Sequence, residues 1–120
     1  MAGLEIKNVN APDETRSFAD KGSGGIVTVG GHPVLFGSWE PGWKWSEHMK
    51  PIVGTERCEA NHLIYCIAGR MKVVHDDGSE GEIGPGDVAL IEPGHDAWIV
   101  GDETFTGVDF GGYGRYGLPG

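Results

Sequence analysis

The sequence predicts an all-β fold in which short strands are joined by tight turns. Glycine occurs 22 times and proline 7 times in 120 residues, without a regular period. Glycines placed between short runs of valine, isoleucine and aromatic residues indicate turns rather than a flexible linker. These turn signals recur roughly every 8–12 residues and no segment keeps a helical period, a pattern typical of a sandwich or barrel.

The domain organisation predicted from the sequence is a single barrel with two extensions. A length of 120 residues fits one domain. Residues 1–25 are polar and broken by proline and glycine, so we expect an N-terminal arm with a short edge strand at Leu4–Val9. Residues 26–110 form the predicted barrel, and residues 111–120 a loose C-terminal tail.

Within the barrel, strands are predicted wherever apolar runs lie between turn signals. Gly30-Gly31 separates the first two strands, and Asp77-Gly78 carries the signal of a hairpin turn. After a turn at residues 40–42, the segment Trp43–Lys50 supplies a further strand or strand end. The other predicted strands are Ile26–Val29, Pro33–Trp39, Cys58–Ala68, Arg70–His75, Glu80–Ile83, Val88–Ile91, Asp96–Val100 and Phe105–Phe110.

Charge and composition narrow the classes of partner. The formal net charge is −9, which argues against a nucleic-acid partner because phosphate contacts need clustered lysine and arginine. No apolar run reaches the ~20 residues of a membrane-spanning helix, and the N-terminus lacks the apolar core of a signal peptide. We therefore expect no membrane association and a cytoplasmic protein. In that compartment Cys58 and Cys66 are expected as reduced thiols.

In two segments of the chain, histidine, glycine and proline residues are spaced as in a sequence motif. The first runs from Glu40 to Pro51 and continues through His62 to Gly69, and the second runs from Gly84 to His95. They resemble the paired metal-binding motifs of the cupin superfamily, and the whole chain is similar to small bacterial single-domain cupins. The resemblance implies a jelly-roll barrel (a double-stranded β-helix), a divalent metal held by histidines, and a homodimer.

The motif positions are altered relative to the cupin pattern. His48 stands at the first histidine of the first motif, but Lys50 stands at the second. His62 occupies the position of the family's glutamate. In the second motif the family's histidine position falls on Ala97, while His95 lies two residues earlier. Because side chains alternate along a strand, residues 95 and 97 can face the same side.

The resemblance and the histidine pattern together predict a mononuclear metal site. His48, His62 and His95 lie on three predicted strands or strand ends, which a barrel can bring together. Three imidazoles suit one divalent transition metal, namely Fe, Mn, Ni, Cu or Zn, and leave positions open for water or substrate.

The surroundings of this site are predicted from strand alternation and from the position of the tryptophans. If His62 points inward, so does Cys66, which is expected to be a small core residue rather than a ligand or nucleophile. Lys50 is a candidate substrate anchor, a replacement for the metal's charge, or a solvated side chain. The residues predicted to line the pocket are Trp43, Trp45, Ile64, Cys66 and Trp98.

Two classes of function remain open on the sequence. The first is a metal-dependent enzyme acting on a small organic molecule, of the dioxygenase (oxidoreductase), isomerase or lyase type that the resemblance implies. The alternative is a non-catalytic cupin that binds a small ligand or acts as a sensor, with a degenerate metal site. Either is compatible with a homodimer, for which the outward apolar set Leu63, Tyr65 and Ile67 is suited.

Overall fold

The described part of the chain folds into nine antiparallel strands in two sheets. The computed structural model describes residues 3–111. A six-stranded sheet has the order β1-β2-β3-β9-β4-β7, and a three-stranded sheet has the order β6-β5-β8. The all-β, two-sheet architecture predicted from the turn spacing is confirmed. The strands are β1 Glu14–Ser17, β2 Gly22–Val29, β3 His32–Trp39, β4 His62–Ala68, β5 Met71–His75, β6 Glu80–Ile83, β7 Val88–Ile91, β8 His95–Ile99 and β9 Phe105–Asp109.

The two predicted glycine turns occur where expected. Gly30 and Gly31 connect β2 to β3 with φ of 57° and 80°. Gly78, with φ of 95°, connects β5 to β6. Glycine adopts these left-handed conformations without the steric cost that other residues meet.

The N-terminal strand was predicted in the wrong place. Leu4–Val9 is not a strand, and the edge strand is β1, which pairs with β2. The strand β2 begins at Gly22, so the predicted boundary at residue 25 falls inside it. Glycine is needed at position 24 within β2 because a Cβ there would lie 2.5 Å from the Leu35 side chain. The glycines of this segment thus permit close packing and do not mark a flexible arm.

The segment Trp43–Lys50 folds into a helical turn instead of a strand. Trp45–Met49 forms one π-helical turn, followed directly by the α-helical turn α1, Lys50–Val53. Pro51 fits at the start of α1, where its missing N–H is not needed. Trp45 and Met49 are both buried, so core packing decides the conformation here. No helix within residues 3–111 is long and apolar enough to cross a membrane.

The long strand predicted at Cys58–Ala68 begins only at His62. Residues 59–61 leave the sheet, and Cys58 makes an isolated bridge with His95. From His62 onward the predicted alternation is confirmed. The inward residues are His62, Ile64 and Cys66, and the outward residues are Leu63, Tyr65 and Ile67.

A hydrophobic core fills the space between the two sheets and is rich in tryptophan. Trp39 stacks on Phe18 at a centroid distance of 5.0 Å and meets Trp43 and Phe105 edge-on. This core closes one side of the space in which the buried histidines lie. Of the tail predicted at residues 111–120, residues 112–120 lie outside the described part of the chain.

Candidate metal centre

Three buried side chains with metal-ligating atoms meet inside the barrel. They are Cys58, His62 and His95, and one ligand atom from each lies within 4.8 Å of the other two. The Cys58 Sγ is 3.7 Å from the His62 Nε2, and the two imidazole rings are 5.2 Å apart between centroids. A thiolate and two imidazoles at these separations form a donor set that can hold one transition-metal ion.

The backbone break before β4 is what brings Cys58 to His62. In a regular strand two residues four apart would be separated by ~13 Å, too far to share an ion. Because residues 59–61 leave the sheet, the chain folds back and Cys58 lies beside the start of β8. The Cys58 N–H donates to the His95 carbonyl at 2.9 Å, and the Gly94 N–H donates to the Cys58 carbonyl at 2.8 Å. These bonds fix the position of the thiol.

Each histidine of the cluster is held from outside by its other nitrogen. The His62 Nδ1 is 2.5 Å from a carboxylate oxygen of Asp109, and the His95 Nδ1 is 2.8 Å from the Glu92 carbonyl. Since both partners are acceptors, each ring donates its Nδ1 proton outward, and Nε2 is the atom of each ring that faces the cluster, where that of His62 contacts the Cys58 Sγ. Metal-ligating histidines nearly always have such an outer acceptor.

Asp109 is the most deeply buried member of this arrangement, at 1% exposed. It lies at the end of β9, and its other carboxylate oxygen accepts backbone N–H bonds from Leu63 and Gly111 at 3.2 and 2.8 Å. These bonds and the contact with His62 satisfy a carboxylate that burial would otherwise make costly. Asp109 is therefore placed to orient the His62 ring.

The charges in the cluster shift the pKa values of two of its members. Burial opposes ionisation of the Cys58 thiol, but hydrogen bonds with His62 and His95 and the charge of both rings outweigh it and lower the pKa to about 7. Burial also opposes the charged form of His62, but hydrogen bonds with Asp109 and Cys58 and their charges outweigh it and raise the pKa to about 9. At neutral pH the thiol therefore ionises readily, as a metal ligand must.

The space beside these three side chains is small. The cavity has a volume of about 20 Å³, whereas pockets for organic ligands measure about 300–1,000 Å³. It therefore has room for an ion and a very small ligand. Its lining residues are Trp39, Trp43, Trp45, Cys58, His62, Ile64, Met71, Ile91, His95 and Ala97.

A larger, open cleft of about 320 Å³ lies between β6 and β7. Ile91 lines both this outer cleft and the cavity beside Cys58, His62 and His95, so it stands between them. Acidic side chains form much of the wall of the outer cleft. They are Asp77, Glu80, Glu82 and Glu92.

The structure brings together two of the three histidines predicted as ligands, and leaves the third outside the group. His48 lies in the π-helical turn, where its Nδ1 accepts the Lys44 N–H at 3.1 Å. It is absent from the described ligand cluster, and Cys58 is present instead. Lys50, the predicted substrate anchor, begins α1 and pairs with Glu56 at 2.8 Å. It does not line the cavity of the cluster, and its anchoring role stays a prediction.

Of the five predicted pocket residues, Trp43, Trp45 and Ile64 line the cavity. Cys66 does not: it is fully buried, and its Sγ donates to the Ala68 carbonyl at 3.4 Å, consistent with the core role expected for it. Trp98 lies on the other side of Trp43 under the Lys44 ammonium, which is 5.0 Å from its ring centroid.

Sequence reasoning missed Cys58 and Asp109. Alternation puts Cys58 on the inward face with His62, and that shared face is the one signal in the sequence that could have found it. Asp109 alternates with Phe105 and Gly107 on the buried face of β9. An aspartate at an inward strand position is itself a signal, since buried acidic residues almost always have a partner.

Known proteins resemble this chain in structure only. No family model and no curated protein matches the sequence. Ectoine synthase from P. lautus is 13% identical with a TM-score of 0.60, over 89% of this chain and 78% of that one. KdgF from Halomonas sp. is 15% identical with a TM-score of 0.57, over 82% and 87%. A cupin-2 domain protein from Rhodospirillum rubrum is 16% identical with a TM-score of 0.56, over 91% and 67%.

The chain has the cupin fold. The strand order and the superposition on these cupins confirm the predicted jelly roll. Identities of 13–16% extend the likeness to the fold and no further. The function of this protein must therefore be argued from its own buried residues.

Proposed function

We propose that this cupin binds one transition-metal ion through the Cys58 Sγ and the Nε2 atoms of His62 and His95. The observation that carries the proposal is the way both histidines are held: Asp109 and Glu92 accept from the Nδ1 atoms, so Nε2 is the ligand atom that each ring offers. Together with the lowered thiol pKa, this puts three donor side chains in position, and His62 binds metal once the proton on its Nε2 is lost.

The donor set ranks the candidate metals. Thiolate and imidazole ligands suit zinc, copper, iron and nickel, whereas manganese favours carboxylate and other oxygen donors. Because the third candidate ligand is Cys58 and not the predicted His48, manganese is expected to bind most weakly of the five metals named from the sequence. Three protein ligands would leave a coordination position open on a bound ion, which would supply Lewis-acid chemistry there.

As an enzyme, this cupin would act on a small organic molecule of the dioxygenase, isomerase or lyase type. The 20 Å³ cavity is too small for such a substrate, but the outer cleft of about 320 Å³ falls in the usual size range. We place the organic substrate in this cleft, with Ile91 separating it from the ion. The acidic lining favours a cationic or neutral molecule over an anion.

The second candidate is a non-catalytic metal or small-ligand sensor, and the small cavity favours it. A sensor needs only the ion and a ligand that fits beside it, with no passage to the outer cleft. Binding of organic molecules to the metal-loaded protein distinguishes the two. An enzyme of this kind binds compounds that perturb the spectrum of a bound cobalt(II) ion, and Ile91→Ala strengthens that perturbation. A sensor shows no such perturbation in either form.

Metal content and ligand identity test the metal site directly. We expect about one equivalent of metal in the purified protein and, after cobalt(II) loading, a thiolate-to-metal charge-transfer band. Cys58→Ser removes that band, because the serine hydroxyl is not a thiolate. Cys66→Ser is the matched control, since Cys66 is also buried but lies outside the cluster. Loss of the band in both variants, or metal-free protein after reconstitution with each candidate metal, contradicts the proposal.

We further propose that two copies pair through the outer face of β4 and β7. Leu63 and Tyr65 on β4 stand opposite Leu90 and Val88 on β7, and all four are exposed. Within residues 3–111 only β4 pairs with β7, so one edge of β7 is open beside this apolar patch. A second copy presents the same face and can bury both features.

The oligomeric state tests this pairing. Light scattering on a sizing column is expected to give the mass of a dimer, and Leu90→Lys to give a monomer. Ile52→Lys, on the exposed side of α1, is the control and leaves the dimer intact. A monomeric parent protein contradicts the pairing.

A further inference from the structure

Two buried hydrogen-bond donors near the Cys58–His62–His95 group have no acceptor within residues 3–111. The indole Nε1–H groups of Trp43 and Trp45 belong to residues that are 2% and 1% exposed. Neither group has a hydrogen-bond partner in the part of the chain that the structure describes. Buried donors are nearly always paired, because an unpaired one loses its bond to water without replacement. Two such donors, on residues that line the same small cavity, indicate that an acceptor belongs in it.

Both indoles line the cavity that Cys58, His62 and His95 also line. Its volume of about 20 Å³ exceeds the 10–15 Å³ that one water needs, by a modest margin. The other walls are apolar side chains such as Ile64, Met71 and Ile91. The cavity is therefore lined both by the candidate ligand side chains and by the two tryptophans whose indole N–H groups lack a partner in the described chain.

We propose that the cavity binds one ligand of one to three atoms, with an anionic or lone-pair donor atom on the metal ion and acceptor capacity for the indole N–H groups of Trp43 and Trp45. Water or hydroxide is the ligand when nothing else is present, and small anions such as azide replace it. The inference rests on the proposed metal site, since the ion holds one end of the ligand. The charge-assisted bonds from the indoles hold the other end.

The experiment measures azide binding to the cobalt(II)-loaded protein through the visible bands of the metal. The parent protein is expected to bind azide, and Trp43→Phe or Trp45→Phe to raise the azide Kd about tenfold, the effect of one hydrogen bond to a charged group. Phenylalanine keeps a ring in the core but removes the donor. Trp98→Phe is the matched control and leaves the Kd unchanged, because Trp98 does not line the cavity.

A second measurement avoids substitution altogether. In zinc-loaded parent protein labelled with ¹⁵N-tryptophan, azide is expected to shift the indole N–H resonances of Trp43 and Trp45 and to leave that of Trp98 in place. Unchanged resonances, or an unchanged azide Kd in both variants with normal cobalt uptake, overturn this inference and leave the metal site standing. Failure of the parent protein to take up cobalt or zinc overturns the metal site and this inference together.

Discussion

Two segments carry the residues of the first cupin-like motif, and they contribute to the molecule in opposite ways. Trp43–Lys50 contains the predicted ligand His48, yet it forms a helical turn that buries Trp45 and Met49. Residues 58–62 contain two of the three members of the cluster, Cys58 and His62, because the backbone leaves the sheet between them. The difference shows that the grouping of candidate ligand atoms depends on where the chain departs from regular structure.

The two segments also differ in what surrounds their polar atoms. The His48 Nδ1 bonds only to the backbone of Lys44, within its own turn. The His62 Nδ1 reaches across 47 residues of sequence to Asp109 on β9. The first contact is local and structural, while the second orients a ring toward a shared centre. Four measurements break or sharpen this contrast.

The largest effect is expected from removing His62. His62→Ala deletes one of the three ligands, and we expect zinc affinity to fall by more than the roughly 100-fold that loss of an outer partner can cause. Competition with a chromophoric chelator measures the Kd. Circular dichroism checks that the sheet persists, since Asp109 keeps its two backbone donors. An affinity within a few-fold of the parent protein excludes His62 as a ligand.

A smaller loss is expected when the outer partner of His62 is changed. Asp109→Asn removes the negative charge that stabilises the proper tautomer and basicity of the ring, and zinc affinity should fall about 10- to 100-fold. Asp96→Asn is the matched control: Asp96 accepts the backbone N–H groups of Ser46 and Ala97, and no hydrogen bond joins its carboxylate to either histidine in the described part of the chain. Equal losses of zinc affinity in the two variants would show that the effect comes from a change in the fold and not from the His62 ring.

The pKa values predict how zinc affinity changes with pH. His62, with its pKa raised to about 9, is protonated at neutral pH and must lose that proton to bind metal. Between pH 7 and 9 the affinity should rise about tenfold per pH unit, because one proton is displaced. Below the Cys58 pKa of about 7 a second proton competes, so the dependence steepens. Chelator competition across this range measures the slope, and a flat profile contradicts the assignment of both ligands.

The sequence predicted the strands where local signals determine them. Glu80–Ile83 and Val88–Ile91 lie between glycine-containing turns, and both were predicted with the observed bounds. The alternation after His62 was also correct, because one face of β4 is buried. Such features follow from a few neighbouring residues and need no tertiary information.

The features that the sequence did not predict depend on contacts between distant segments. The helical turn at Trp45–Met49 follows from burial of its side chains against β8, which no local period reveals. The proximity of Cys58 to His62 depends on the bridge that Cys58 makes with His95, 37 residues further on. A strand rule applied to the sequence keeps residues 58 and 62 apart, and only the tertiary bridge overrides it.

The smallest effect is expected at His48, and it distinguishes a structural histidine from a ligand. His48→Ala removes the acceptor of the Lys44 N–H inside the π-helical turn, which should lower the free energy of unfolding by about 1 kcal/mol. Urea denaturation in the presence of a chelator measures this, and Glu47→Ala, at an exposed neighbouring position, is expected within about 0.5 kcal/mol of the parent.

Zinc affinity in His48→Ala should equal that of the parent protein, because His48 lies outside the cluster. A drop comparable to that of His62→Ala would instead make His48 a ligand and restore the three-histidine site predicted from the motif. The two measurements separate the roles. If His48 is structural, its removal lowers the free energy of unfolding and leaves the zinc affinity of the folded protein unchanged. A ligand role changes metal affinity even when the chelated protein unfolds as before.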